Sequence, residues 1–302
     1  MARGDVVCVA TVWTNCFGIC RATRPAESQL AGDGAAQGIN TTNALWGIMT
    51  RPLMLGGVVF NEPVFTANSL NVVFPRAPQI RRLSNAFEDR LASRYGQPQS
   101  IPVPDNLDPQ VPRIVFQSMG GHSQIVISQV AISLNVNYDS EWTTDSAKRL
   151  AYLRERVSLV YELCGTAQTN PVFSGLTTRV RLSSDSPDEE ILSRLVHVLG
   201  IANAGANLSE VSVRLSSVVD DKFFDNITVQ SYREWPPGDD ATVSRLPVGE
   251  ARSRGIELVQ DFNDRYAFNE GSDYHTSASV GSEIVELARG SLDSWVARVR
   301  EG

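Results

Sequence analysis

Several things are scarce in this 302-residue chain, and each scarcity removes a class of function. No run of about 18 apolar residues occurs, so no segment reads as a membrane-spanning helix. Histidine appears three times, as His122, His197 and His275. The four cysteines are Cys8, Cys16, Cys20 and Cys164, with the first three spaced C-x7-C-x3-C. That spacing matches no common zinc pattern, and no histidine lies nearby to complete one. Reduced thiols and a cytoplasmic protein are therefore expected. Lysine is limited to Lys148 and Lys222 beside 25 arginines. Phosphate or carboxylate clamps would use such a bias, but arginine-rich codon choice accounts for it without any site. Also missing are a Gly-x-Ser-x-Gly elbow, a phosphate loop, His-Glu-x-x-His and Cys-x-x-Cys. No cofactor is implied.

The charge that is present is uneven. The formal net charge is -7. Residues 1–150 carry 12 basic and 11 acidic side chains, and residues 151–302 carry 15 and 23. The acidic second half argues against bulk nucleic-acid binding.

Residues 1–53 are expected to form a poorly structured leader, with Met49 or Met54 as the candidate true start. Ser28 to Thr42 is rich in Ala, Gly, Gln, Asn and Thr without any period. Two α+β units are expected to follow, over 54–168 and 169–302, packed as one globule. In the first, Phe65, Leu70, Val72 and Phe74 suggest a strand, and Ile80, Leu83, Phe87 and Leu91 an amphipathic helix. A proline-rich loop from Gln97 to Pro112 leads to Pro112–Asp139, which reads as a short strand, a Gly-Gly turn at His122 and one long strand. In that strand Val126, Val130, Ile132, Leu134 and Val136 form the oily row. Residues Thr143 to Ser146 supply N-cap candidates for a helix carrying Leu150, Leu153, Val157, Val160, Tyr161 and Cys164.

The second unit opens with a strand that turns Leu176, Thr178, Val180 and Leu182 inward and Thr177, Arg179 and Arg181 outward. Ser186-Pro187-Asp188-Glu189 reads as a capping box. Strands around 211–219, 224–235 and 255–269 follow, with a polar loop from Pro236, and then a C-terminal helix carrying Ile284, Ala288, Leu292, Trp295 and Val299. The fold expected is α+β: a mainly antiparallel sheet with helices on one face, built from two successive strand–helix–strand–strand units.

Glu62-Pro63-Val64 before the first strand, the central hairpin loop, the long helix and the late Asp261-Phe262-Asn263 give a layout that resembles a sporadically distributed bacterial family of about 250 residues. That family has no assigned function, so the resemblance implies no catalytic residues.

Two functional expectations remain. The first is a non-enzymatic binding module for a protein partner or an anionic ligand. Arg179, Arg181 and Arg214 would face Asp261, Asn263 and Glu257 across a polar sheet surface, if their strands are neighbours. The alternative is a metal-dependent hydrolase or nuclease using the acidic segment Asp261–His275, with Asp261, Asp264 and His275 as ligands. Against it, that spacing fits no EF-hand or zinc motif, and Asp, Asn and Gly are ordinary turn residues.

Overall fold

The computed structural model describes residues 57–143, 145–201, 208–235 and 251–301. The leader, the three N-terminal cysteines, Thr144 and the loop after Pro236 lie outside the described residues. From Val58 onward the described chain belongs to one compact unit. Its elements are β1 (Val64–Val73), α1 (Ser84–Leu91), β2 (Gln99–Ser100), β3 (Ile114–Gln117), β4 (Ser123–Ile127), β5 (Ala131–Asn137), α2 (Ser140–Thr143) and α3 (Ser146–Thr166). They continue with β6 (Phe173–Ser183), α4 (Asp188–Val198), β7 (Ser212–Val219), β8 (Phe223–Glu234), β9 (Ser253–Asn263), α5 (Arg265–Glu270) and α6 (Ala278–Glu301). The fold is α+β, as expected.

The strands of the described residues join in one nine-stranded antiparallel sheet ordered β2-β3-β4-β5-β1-β6-β9-β8-β7. This order has an internal logic. In each half the first strand pairs with the last strand of that half, β1 with β5 and β6 with β9, and the remaining strands run outward as a meander. The two first strands then pair with each other, Leu70 opposite Leu176, and weld the halves at the centre. Strand, helix, three-strand meander and long helix thus occur twice, with β2 added at one edge.

The long strand expected before Tyr138 is two strands. A tight turn over Ser128–Ala131 divides it, where the Ser128 amide donates to the Ala131 carbonyl (2.9 Å) and Ser128 Oγ accepts from the amides of Val130 and Ala131. Side chains alternate along a strand, so this turn resets the parity. Ile125 and Ile127 of β4 are buried, opposite Leu134 and Ile132, whereas Val126 and Val130 are only half-buried. The oily row assigned to Val126 and Val130 is corrected accordingly.

Two further expectations shift. The last strand ends at Asn263 and continues as α5, not as strand to 269. The capping box does not form: Pro187 is the N-cap of α4 with no side-chain cap bond, and the Ser186 amide donates to Ser184 Oγ instead. Asp188 is committed elsewhere, to Arg233 (2.7 Å) and Arg254 (3.5 Å). Helix α3 does receive its cap, Asp145 accepting from the Lys148 amide at 2.8 Å.

The inward rows of the sheet are Leu70 and Val72 on β1, Leu134 on β5, Leu176 and Val180 on β6 and Leu258 on β9, all buried. Against them lie Phe87 and Leu91 of α1, Val157 and Val160 of α3, Leu192 and Leu195 of α4, and Ile284, Ala288 and Leu292 of α6. Burying each such aliphatic side chain stabilises the fold by roughly 1.5–3 kcal/mol. The proline-rich loop is held by arginines: buried Arg113 donates to the carbonyls of Val111 and Asp108, and Arg81 to those of Ile101 and Val103. Cys164 sits in the helix core, and burial pushes its thiol up to about 12, which leaves it unreactive at neutral pH.

Candidate functional site

The pleat that turns oily rows inward turns polar rows outward. On β1 and β5 these are hydroxyls and amides paired across strands. Ser69 Oγ donates to Asn135 Oδ1 and Ser133 Oγ to Asn71 Oδ1, both at 2.8 Å and both between register partners. Helix α5 reaches this side at its end, where Phe268 and Tyr266 pack on Phe173 and Phe224.

The charged part of the face lies on β6, β9 and β8. Strands β6 and β9 are neighbours, and their register sets Arg181 opposite Glu257. Arg181 Nε donates to Glu257 Oε1 at 3.0 Å, while Arg179 Nη1 lies 3.8 Å from Oε2. Gln230 of β8 adds a third donor to Oε2 at 2.8 Å. The carboxylate sits low, its side chain 5% exposed, while those of Arg179 and Arg181 are 52% and 35% exposed. Arg181 also spreads over the Tyr232 ring, 4.9 Å from its centroid, and approaches Glu234 at 3.6 Å. The buried carboxylate thus holds Arg181 through a hydrogen-bonded ion pair and Arg179 through a longer charge contact, and both arginine side chains stay partly exposed.

Asp261 lies farther along β9, opposite Thr177 on one side and Asn226 on the other. It accepts from Asn226 Nδ2 (3.3 Å) and Asn263 Nδ2 (3.1 Å). Burial raises its pKa above the ordinary aspartate value, against the pull of those hydrogen bonds and of the Arg214 and Arg265 charges. Arg214, exposed on the edge strand β7, is the larger electrostatic contributor of the two. Of the five residues expected to form a binding face, Arg179, Arg181, Asp261 and Asn263 thus fall on the adjacent strands β6 and β9, while Arg214 lies on β7, separated from them by β8.

The residues of the metal alternative are not brought together. Asp264 is fully buried, accepting from the Ser174 amide (2.6 Å) and from Tyr274 Oη (2.8 Å). It lies with Ser174, which bonds to Tyr161 of α3, and so belongs to the helix side of the sheet while Asp261 belongs to the other. His275 is exposed. Among the described residues no group of three His, Cys, Asp or Glu side chains could hold a metal ion. Of the other histidines, His197 is exposed, and His122, in its turn, is half-buried against the Trp142 ring at 5.1 Å.

Gln230, Tyr232 and Asn226 were not singled out from sequence. Their signal was present, since they alternate with Ile227 and Val229 along β8, but its value depended on β8 lying beside β9.

Compared with known proteins, the chain matches no family model, no curated protein and no solved structure. No helix of the described residues is long and apolar enough to cross a membrane.

Proposed function

We propose that this is a cytoplasmic, non-enzymatic binding module whose polar sheet face receives an acidic segment of a protein partner. The observation that supports it best is the layering of charge at β6 and β9, with Glu257 beneath and Arg179 and Arg181 above. Arg214 extends the same outward basic row to the edge of the sheet. The planar donors of two neighbouring guanidinium groups match carboxylates, and the ion pair of Arg181 with Glu257 lowers the cost of ordering that group. Hydroxyl and amide pairs on β1 and β5 supply a polar continuation over which a peptide can exchange hydrogen bonds with water. We extend this reading to the bacterial family that the layout resembles.

Fluorescence anisotropy with a labelled oligo-glutamate peptide tests the proposal. Binding is expected, and it weakens as ionic strength rises from about 50 to 300 mM. Arg179→Glu combined with Arg214→Glu abolishes it, while Arg90→Glu on the exposed side of α1 leaves it unchanged. Equal loss with both proteins, or no binding at low salt, would overturn the proposal.

A further inference from the structure

Below the sheet, between the first turns of α3, the middle of α6 and strands β1 and β6, lies a cavity of about 510 Å³. Small-molecule sites have volumes of this order. It opens at the seam of the two halves, since Asn68 of β1 and Thr178 of β6 are register partners and both line it. Its walls are apolar, formed by Leu150, Leu153, Leu176, Val285 and Leu292.

The polar groups differ in how far they are satisfied. Tyr138 Oη donates to Asn68 Oδ1 at 2.8 Å, and Asn68 Nδ2 donates to Thr178 Oγ1 at 2.6 Å, so that chain is closed on itself. Arg149 is not closed. It is 7% exposed, and its Nη1 donates to the carbonyls of Trp142 (2.5 Å) and Thr143 (2.6 Å). The flat of the guanidinium rests on the Phe65 ring, 4.3 Å from its centroid. Phe65 reaches this side because the β1–β6 register shifts between Phe65 and Ala67. Among the described residues Nε and Nη2 of Arg149 meet no hydrogen-bond acceptor, yet neither is sealed off.

The other charged groups of the lining are neutralised locally. Glu62 pairs with Arg300 at 3.0 Å and Asp293 with Arg289 at 3.7 Å. Among the described residues Arg149 has no carboxylate within ion-pair distance. Burial holds its pKa below the ordinary arginine value, outweighing the influence of Tyr138 and Asp145. A buried cation left without a counter-charge is costly.

We infer that this cavity binds a small molecule made of one carboxylate and an apolar body. The carboxylate accepts from Nε and Nη2 of Arg149, the one open edge of one guanidinium, whose two parallel donors fit two oxygens side by side. A phosphate ester would bring more charge than this single edge can meet. The apolar body displaces water from the leucine and valine walls. This site lies on the opposite side of the sheet from the arginine row, and it stands or falls independently of the peptide proposal.

The test is calorimetric titration of the full chain with octanoate and, in parallel, with octanol. Octanoate is expected to bind about ten- to a hundredfold tighter, the worth of a charge-assisted pair in a protected site. Arg149→Met removes the preference, so that acid and alcohol bind alike. Because Arg149 also holds the α2 carbonyls, Leu150→Trp provides a second probe: it fills the cavity, keeps the guanidinium and weakens both ligands about tenfold or more. Equal affinity for octanoate and octanol in the wild type would overturn the inference. So would octanoate binding that survives both variants, or no binding of octanoate up to about 1 mM.

Discussion

Asp261 and Asp264 lie at the same end of β9 and face opposite sides of one sheet, and burial raises the pKa of both. Asp264 is spent on structure. It accepts from the backbone of β6 and from Tyr274, which ties the sheet to the segment leading into α6. Among the described residues Asp261 accepts from two side-chain amides, within a surface of amides and arginines. The lesson is that a cluster of acids in sequence is divided by the pleat before it can act as a cluster. Here the inner side carries cohesion, and the outer side holds the polar row on which the binding proposal rests.

The comparison can be broken most severely at Gly255. A Cβ there would lie 2.0 Å from the Leu182 carbonyl oxygen, on a glycine whose φ is +156°. The collision is with backbone, so Gly255→Ala is expected to cost about 3 kcal/mol or more in chemical denaturation, or to prevent folding. Asp264→Ala comes next. It strands the buried Ser174 amide and Tyr274 hydroxyl and is expected to cost about 2–3 kcal/mol by the same measurement.

Asp261→Asn sharpens the contrast through pH. A carboxyl whose folded pKa lies above its unfolded value lets the folded state hold the extra proton, so its contribution is best in acid and declines as pH rises past about 3.9. The Asn variant lacks this decline. Its stability should therefore gain on the wild type as pH increases from about 4, levelling once the folded pKa is passed. A gap that stays constant with pH would count against this environment for Asp261. Smallest in stability is Arg179→Glu, whose side chain is 52% exposed. We expect a change within about 0.5 kcal/mol, with loss of acidic-peptide binding.

Much of this was legible in sequence. The inward row Leu176, Thr178, Val180 and Leu182 and the outward Arg179 and Arg181 are as the alternation of β6 requires, because one uninterrupted strand keeps its parity. The helix stripe of α6 was largely readable, whereas α3 buries Leu159 and Leu163 beyond its expected stripe and leaves Leu150 half-buried, because it packs against neighbours on more than one side. Reading failed where a turn lacked glycine or proline: Ser128-Gln129-Val130-Ala131 folds a hairpin through a serine hydroxyl, and a run of alternating residues conceals it. The Arg181–Glu257 pair was conditional on β6 and β9 being neighbours, which only the meander settles. Arg149 was missed altogether. It sits one position before the Leu150 stripe of α3, where a helix ordinarily presents charge to water, and its burial depends on Phe65 being turned inward by an irregularity in β1.

The most direct measurement is an NMR titration of the isotope-labelled chain with the oligo-glutamate peptide, following two sets of signals. The side-chain amides of Asn71, Asn135, Asn226 and Gln230 report the outer rows, and the methyl groups of Leu176, Val180 and Leu258 report the inner ones. The account predicts shifts in the amides nearest the arginines, Asn226 and Gln230 first, with the methyl signals unmoved. Shifts confined to the methyls, or spread equally over both sets, would contradict it.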